Sequence, residues 1–99
     1  MMDAPIFEFD AEKSRWLKEN RNISFEEIIA LMDDDHLLDV VEHRNKEKYG
    51  HQDIFVMRIA GYVYLVPFVK TGKKYFLKTI IPSRKATAKY KKEVKDAKS

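Results

Sequence analysis

Arg84 and Lys85 follow the run Ile80-Ile81-Pro82-Ser83 in the stretch KTIIPSRKATAKYKKE, residues 78–93. A serine after that proline reads as a helix start, and the cations fall in the first turn. That turn has unpaired N–H groups and partial positive charge, so it favours Asp or Glu; each cation there costs ~0.3–1 kcal/mol. A guanidinium beside free N–H groups suits a phosphate. Arg84 is therefore the first candidate for an anion contact. The competing reading pairs it with a carboxylate of the acidic first half, such as Asp10 or Glu27. Lys74, Lys78 and Lys85 are further candidate phosphate contacts, or plain solvated lysines. For proton transfer, His43 and His51 flank the polar loop RNKEKYGHQ and titrate in a useful range, with surface histidine as the alternative. Tyr62 and Tyr64 can stack a base or donate a proton, or pack in a sheet. Trp16 reads as a core or helix–sheet anchor.

Other chemistries have no residues to carry them. The three glycines, Gly50, Gly61 and Gly72, make no phosphate loop or dinucleotide fingerprint. His36, His43 and His51 are seven and eight residues apart and form no zinc pair, and there is no cysteine for a thiolate site or a disulfide. Asp33-Asp34-Asp35 lacks the later ligands and glycine of a calcium loop and reads as a helix stop. No metal and no cofactor are expected.

These residues must be placed by one small domain spanning 1–99. Its 44% hydrophobic content is enough for a packed core. The longest apolar run, GYVYLVPFV, is too short to span a bilayer, and the acidic start MMDAPIFEFD is not ordered like a signal peptide. With no cysteine, the expectation is a cytoplasmic protein with no membrane partner. The net charge of +3 conceals an asymmetry: residues 1–40 hold 4 Lys/Arg and 11 Asp/Glu, residues 41–99 hold 15 and 5, and from residue 70 onward the count is 11 against 2. A basic half of that kind is an electrostatic footprint of nucleic-acid binders, although a lysine-rich helix is also a common solvated face.

The elements follow from local signals. Asp10 caps a helix to about Asn20, and Asn22 is a left-handed stop. Ser24 and Glu27 form a capping box, stapled by Ile23 and Ile28, and Ile28, Leu31 and Met32 continue an apolar face. LLDVVEH reads as a strand with Leu38 and Val40 on one face and Asp39 and His43 on the other. DIFVMRIAGYVYLVPFV reads as a hairpin around Ala60-Gly61, with Phe55, Met57 and Ile59 on one face and Val56 and Arg58 on the other. Pro67 predicts an interrupted or edge segment in the second arm. After the turn KTGKK, YFLKTII is the last strand, with Phe76, Lys78 and Ile80 on one face; Pro82 ends it. Ser83 caps a helix whose inner stripe is Ala86, Tyr90, Val94 and Ala97. FEFD adds a possible edge strand. The expected class is α+β, an antiparallel β-meander of three to four strands with two N-terminal helices and a C-terminal helix, the helices on one side of the sheet.

The order of these segments resembles the BrnT toxins of bacterial type II toxin–antitoxin pairs. Phe7-Glu8-Phe9-Asp10 with Lys13, Ile23-Ser24-Phe25-Glu26-Glu27, and Ile80-Ile81 with Arg84-Lys85-Ala86-Thr87 match that family's pattern in the same order, over residues 7–90. The resemblance implies a RelE-like fold, a metal-independent ribonuclease, and a ribbon-helix-helix antitoxin as partner beside the RNA substrate. Such cleavage, by attack of the 2′-OH, needs a base, a cation for the charged phosphorane and an acid for the leaving oxygen. Arg84 is then the cation, His51, His43 and Lys78 fill the remaining catalytic places, and Lys85, Tyr62, Tyr64 and Lys74 bind RNA. The chain also departs from the pattern: Thr79 stands where the family has an arginine before the paired isoleucines, Lys78 is one residue off, and the family's turn arginine is lost within KTGKK. A relative that binds RNA or an antitoxin without cleaving is the alternative, and a basic nucleic-acid module unrelated to toxins is a third.

Overall fold

The computed structural model describes residues 5–43 and 45–91. The order is β1 (Ile6–Glu8), α1 (Ala11–Arg21), α2 (Phe25–Ala30), β2 (Leu37–Glu42), α3 (Lys46–Tyr49), β3 (Gln52–Ile59), β4 (Tyr62–Thr71), β5 (Lys74–Leu77), β6 (Ile81–Pro82) and α4 (Arg84–Lys89). The class is α+β. The sheet is mixed and six-stranded, in the order β1-β5-β4-β3-β2, with β6 also on β4. Strands β2 to β5 form the antiparallel meander. FEFD adds β1 at the edge, parallel to β5, and β6 is a short outlier, so the sheet exceeds the three to four strands expected.

The local caps form as their residues dictate. Asp10 accepts from the N–H groups of Glu12 and Lys13, and Asn22 closes α1 in the left-handed region at φ 59°. Ser24 Oγ accepts from Glu27 N at 3.2 Å, and the Glu27 carboxylate accepts from Ser24 N, completing the box. Ala60 (φ 54°) and Gly61 (φ 79°) make the two-residue turn between β3 and β4. Asn45 caps α3, one helical turn inside the segment expected to be a polar loop.

Helices cover both faces of the sheet, not one. Leu17 of α1 and Phe25 and Ile28 of α2 bury against Phe55, Met57, Val66, Phe68 and Leu77, with the rings of Phe55 and Phe68 stacked at 3.9 Å. On the other face Val56 and Val63 meet Ala86 and Tyr90 of α4. The reason is in β3 and β4, whose residues are apolar on both faces and need cover on both. Val94 and Ala97, the rest of the expected α4 stripe, lie outside the described residues.

Three expectations of strand geometry are corrected. A bulge in β2 sets Leu37 opposite Met57 and Asp39 opposite Val56. Leu38 and Val41 therefore pack on the α4 side, whereas Val40 falls opposite Phe55 and is 49% exposed. Pro67 lies inside β4, a continuous central strand, and the interruption falls on its neighbour. The Pro67 carbonyl accepts from Lys78 N at 2.8 Å, but proline has no N–H to return to Lys78, and β5 ends at Leu77. The chain then bends, so Ile80 joins Leu77 in the helix-covered core instead of sharing a face with Lys78. Pro82 ends a separate two-residue strand, β6, in which it pairs with Tyr64, rather than the strand that holds Phe76.

Candidate functional site

The start of α4 is fastened to the sheet at a single residue of β4. Ser83 N donates to the Val63 carbonyl at 3.0 Å, and Val63 N donates to Thr87 Oγ1 at 2.9 Å. Thr87 Oγ1 in turn donates to the Ser83 carbonyl at 2.7 Å, and Ser83 Oγ caps the helix by accepting from Ala86 N at 3.0 Å. At the other end of α4 the Tyr90 hydroxyl donates to Asp39 Oδ2 at 3.3 Å across the sheet. Thr87 had no role in the sequence reading beyond its match to the family pattern; it supplies the acceptor a neighbouring strand would have given to Val63.

This clamp holds Arg84 and Lys85 at the surface. Both are exposed, the first turn of α4 has no acidic residue, and among the described residues no carboxylate pairs with Arg84. The two carboxylates that could have neutralised it are engaged elsewhere: Asp10 caps α1, and Glu27 holds Lys18 Nζ at 2.6 Å. The hydrogen bond from Lys18, with those from Ser24, holds the Glu27 carboxyl below its usual range.

The other candidates spread along β4. Lys78 stands level with Pro67, and its Nζ lies 5.1 Å from the centre of the Phe76 ring. Lys74 opens β5 opposite Thr71, with Nζ 3.8 Å from Glu8 Oε2. Tyr62 and Tyr64 are half-buried and meet edge to face at 5.7 Å, with Tyr64 opposite Pro82. The histidines are at the far end. His43 N donates to the Gln52 carbonyl, His51 precedes Gln52, and Gln52 pairs with Val69. Six residues of β4, ~20 Å of strand, separate that level from Val63. His43 and His51 therefore do not meet Arg84 on one phosphate, and the acid–base set proposed from the sequence is not assembled.

Four side chains take places that the sequence reading did not give them. Trp16 is no core anchor: it is 46% exposed, with Lys13 Nζ and the Arg21 guanidinium 5.3 and 5.4 Å from its ring. Arg21 Nη1 also donates to the Ile80 carbonyl, just ahead of β6. His36 Nδ1 lies 2.8 Å from Asp33 Oδ1, and this bond holds the Asp33 carboxyl low. Arg58 donates from its main chain to the His36 carbonyl and from Nη2 to the Asp35 carbonyl, while its buried Nε has no partner. Asp33, Asp34 and Asp35 make that edge acidic and unsuited to a polyanion.

Among the described residues, no three of His, Asp and Glu gather as metal ligands, and no helix is long and apolar enough to cross a membrane.

The fold is that of a small α+β protein with a mixed sheet, with Lys74 and Lys78 in and just after β5 and Arg84 and Lys85 at the start of α4. In comparison with known proteins, the chain matches no family model, no curated protein and no solved structure.

Proposed function

We propose that this protein binds single-stranded RNA along β5 and the first turn of α4, as a BrnT-like relative that holds RNA without the histidine acid–base pair. One observation carries the reading. Lys74, Phe76 and Lys78 share the face of the sheet on which α4 packs, with Glu8 beside Lys74, and Arg84 and Lys85 open α4 six residues after Lys78. Phe76 is 37% exposed between the two lysines. A basic track interleaved with an aromatic ring is how single strands are held with little sequence preference: cations follow the phosphates and the ring stacks a base. In this reading the RelE-like scaffold and a ribbon-helix-helix antitoxin belong to the same cytoplasmic system, and the antitoxin covers the strip.

A second reading, the metal-independent ribonuclease, is favoured by the tyrosine pair. Tyr62 and Tyr64 flank Val63, the residue that anchors Ser83, and alternation sets them on the α1–α2 face, with Tyr64 paired to Pro82; a phenol there could protonate a leaving oxygen.

The deciding experiment is induced expression with and without the partner from the neighbouring reading frame, reading RNA integrity and RNA retained on the purified protein. Intact RNA retained at low salt, and displaced by the partner, is expected. Fragmented RNA that becomes intact with Tyr62→Phe and Tyr64→Phe together supports the ribonuclease. A protein that retains no RNA at low salt and leaves RNA intact overturns both readings.

A further inference from the structure

We infer that Trp16 is a second base-stacking platform, joined to the basic strip through Arg21. The inference rests on the RNA reading above and adds a site on α1 that the strip does not include.

The indole is held outward for a structural reason. Ser14 and Leu17 are the buried residues of α1. Ser14 is fixed there because its hydroxyl donates to Glu26 Oε1 at 2.5 Å and accepts from Phe25 N at 2.9 Å, locking α1 to α2. With residues 14 and 17 inward, Trp16 turns to solvent. A tryptophan carries a large apolar surface, and leaving nearly half of it in water forgoes burial that would otherwise stabilise the fold.

The surroundings of the ring are cationic. Lys13 and Arg21 both sit within cation–π range of it, and α1 as a whole has Lys13, Arg15, Lys18 and Arg21 against Glu12 and Glu19. Arg21 is not a loose surface side chain, because one arm of its guanidinium is bonded to the Ile80 carbonyl. Ile80 stands four residues before Arg84, at most ~14 Å along an extended chain. Arg84 and Lys85 open α4 on one face and α1 covers the other, so a strand whose phosphates lie on Arg84 and Lys85 turns over the sheet edge at Ile80–Pro82 to reach Arg21 and Trp16. There a base stacks on the indole in place of the Lys13 ammonium, which is exposed and free to turn to the adjoining phosphate. A π-face of this kind accepts any base, consistent with binding that is led by charge.

Trp16 is the chain's one tryptophan, so its fluorescence reports this site alone. The test titrates the full chain with an unstructured single-stranded RNA oligonucleotide, following indole emission and, in parallel, the anisotropy of the labelled oligonucleotide. Quenching that tracks the anisotropy curve is expected. Trp16→Ala should weaken binding about 5- to 150-fold, with Trp16→Phe recovering part of the loss. Melting of both variants should match the wild type, since the ring is not in the core. Binding seen by anisotropy with unchanged emission, or Trp16→Ala binding as tightly as wild type, overturns the inference and leaves the strip standing. An absence of any anisotropy change overturns the RNA reading and this site with it.

Discussion

Replacing Arg84 with alanine separates a ligand contact from a structural one. Among the described residues Arg84 has no ion pair, and it sits exposed at the first position of α4. Removing an exposed, unpaired side chain changes stability by no more than ~0.5 kcal/mol, about 2 °C in a domain of this size. A small rise is also allowed, because a cation leaves the positive end of a helix. Binding should respond differently. A hydrogen-bonded charge contact to phosphate contributes roughly 1.5–3 kcal/mol, so Arg84→Ala should weaken RNA binding by about 10- to 150-fold. The slope of log affinity against log salt should shrink by about 0.7 for the one lost single-strand phosphate contact. Arg84→Lys should keep the slope but recover the affinity only in part, because an ammonium lacks the planar two-point donor. The assay is fluorescence anisotropy over a salt series, with thermal melting on the same preparations. A variant that melts well below the wild type, or that binds with the same affinity and slope, would refute the assignment.

Other outcomes follow from the same geometry. Ser24→Ala removes one half of the capping box and should cost roughly 0.5–2 kcal/mol in thermal or urea unfolding, with RNA affinity unchanged. Thr87→Val keeps the shape of the side chain but strands the Val63 N–H, and should cost about 1–3 kcal/mol. Because Thr87 also fastens the first turn of α4, RNA affinity should fall with it, unlike in the cap variant. The carboxyls of Glu26, lowered first by Ser14, of Glu27, lowered first by Lys18, and of Asp33, lowered first by His36, all sit below their usual range. Groups whose folded pKa is depressed lend stability above the unfolded pKa and lose it as pH falls through the folded one. Melting should therefore decline below about pH 4.3, the ordinary glutamate value, and these groups should give no change between pH 6 and 8.

Local chemistry was legible where one short segment decides its own shape. Asp10, Asn22, Ser24 with Glu27, Ala60-Gly61 and Ser83 set caps and a turn through bonds within a few residues. The faces of Phe55, Met57 and Val56 were legible because β3 alternates without a break. What failed depends on partners distant in sequence. The bulge at Leu37–Asp39 shifts every later residue of β2 to the other face, and no residue type there announces it. The end of β5 is decided by Pro67, eleven positions before Lys78, through an N–H that is missing from the other strand. The cover of the second face by α4 rests on Thr87 and Tyr90 reaching Val63 and Asp39.

The candidate site was half legible for the same reasons. Arg84 and Lys85 stood out as cations at a helix start, and Lys78 shares a face with Phe76 by strand alternation. The histidines were grouped with Arg84 only because both types suit one reaction, and the sheet sets them at opposite ends. Trp16 was misplaced because α1 has only two large apolar residues in its body, Trp16 and Leu17, which point to different sides. A buried serine, not apolar spacing, decides which of them faces inward.

The central claim is that the strip from Lys74 to Lys85 holds RNA by its phosphates. The most direct measurement is the affinity of the wild-type chain for an unstructured single-stranded RNA between 50 and 200 mM salt. Four cations, Lys74, Lys78, Arg84 and Lys85, each neutralising one phosphate, predict a log–log slope near −3 and a loss of affinity of about fifty-fold across that range. A slope near zero, or no binding at the lowest salt, would contradict the account.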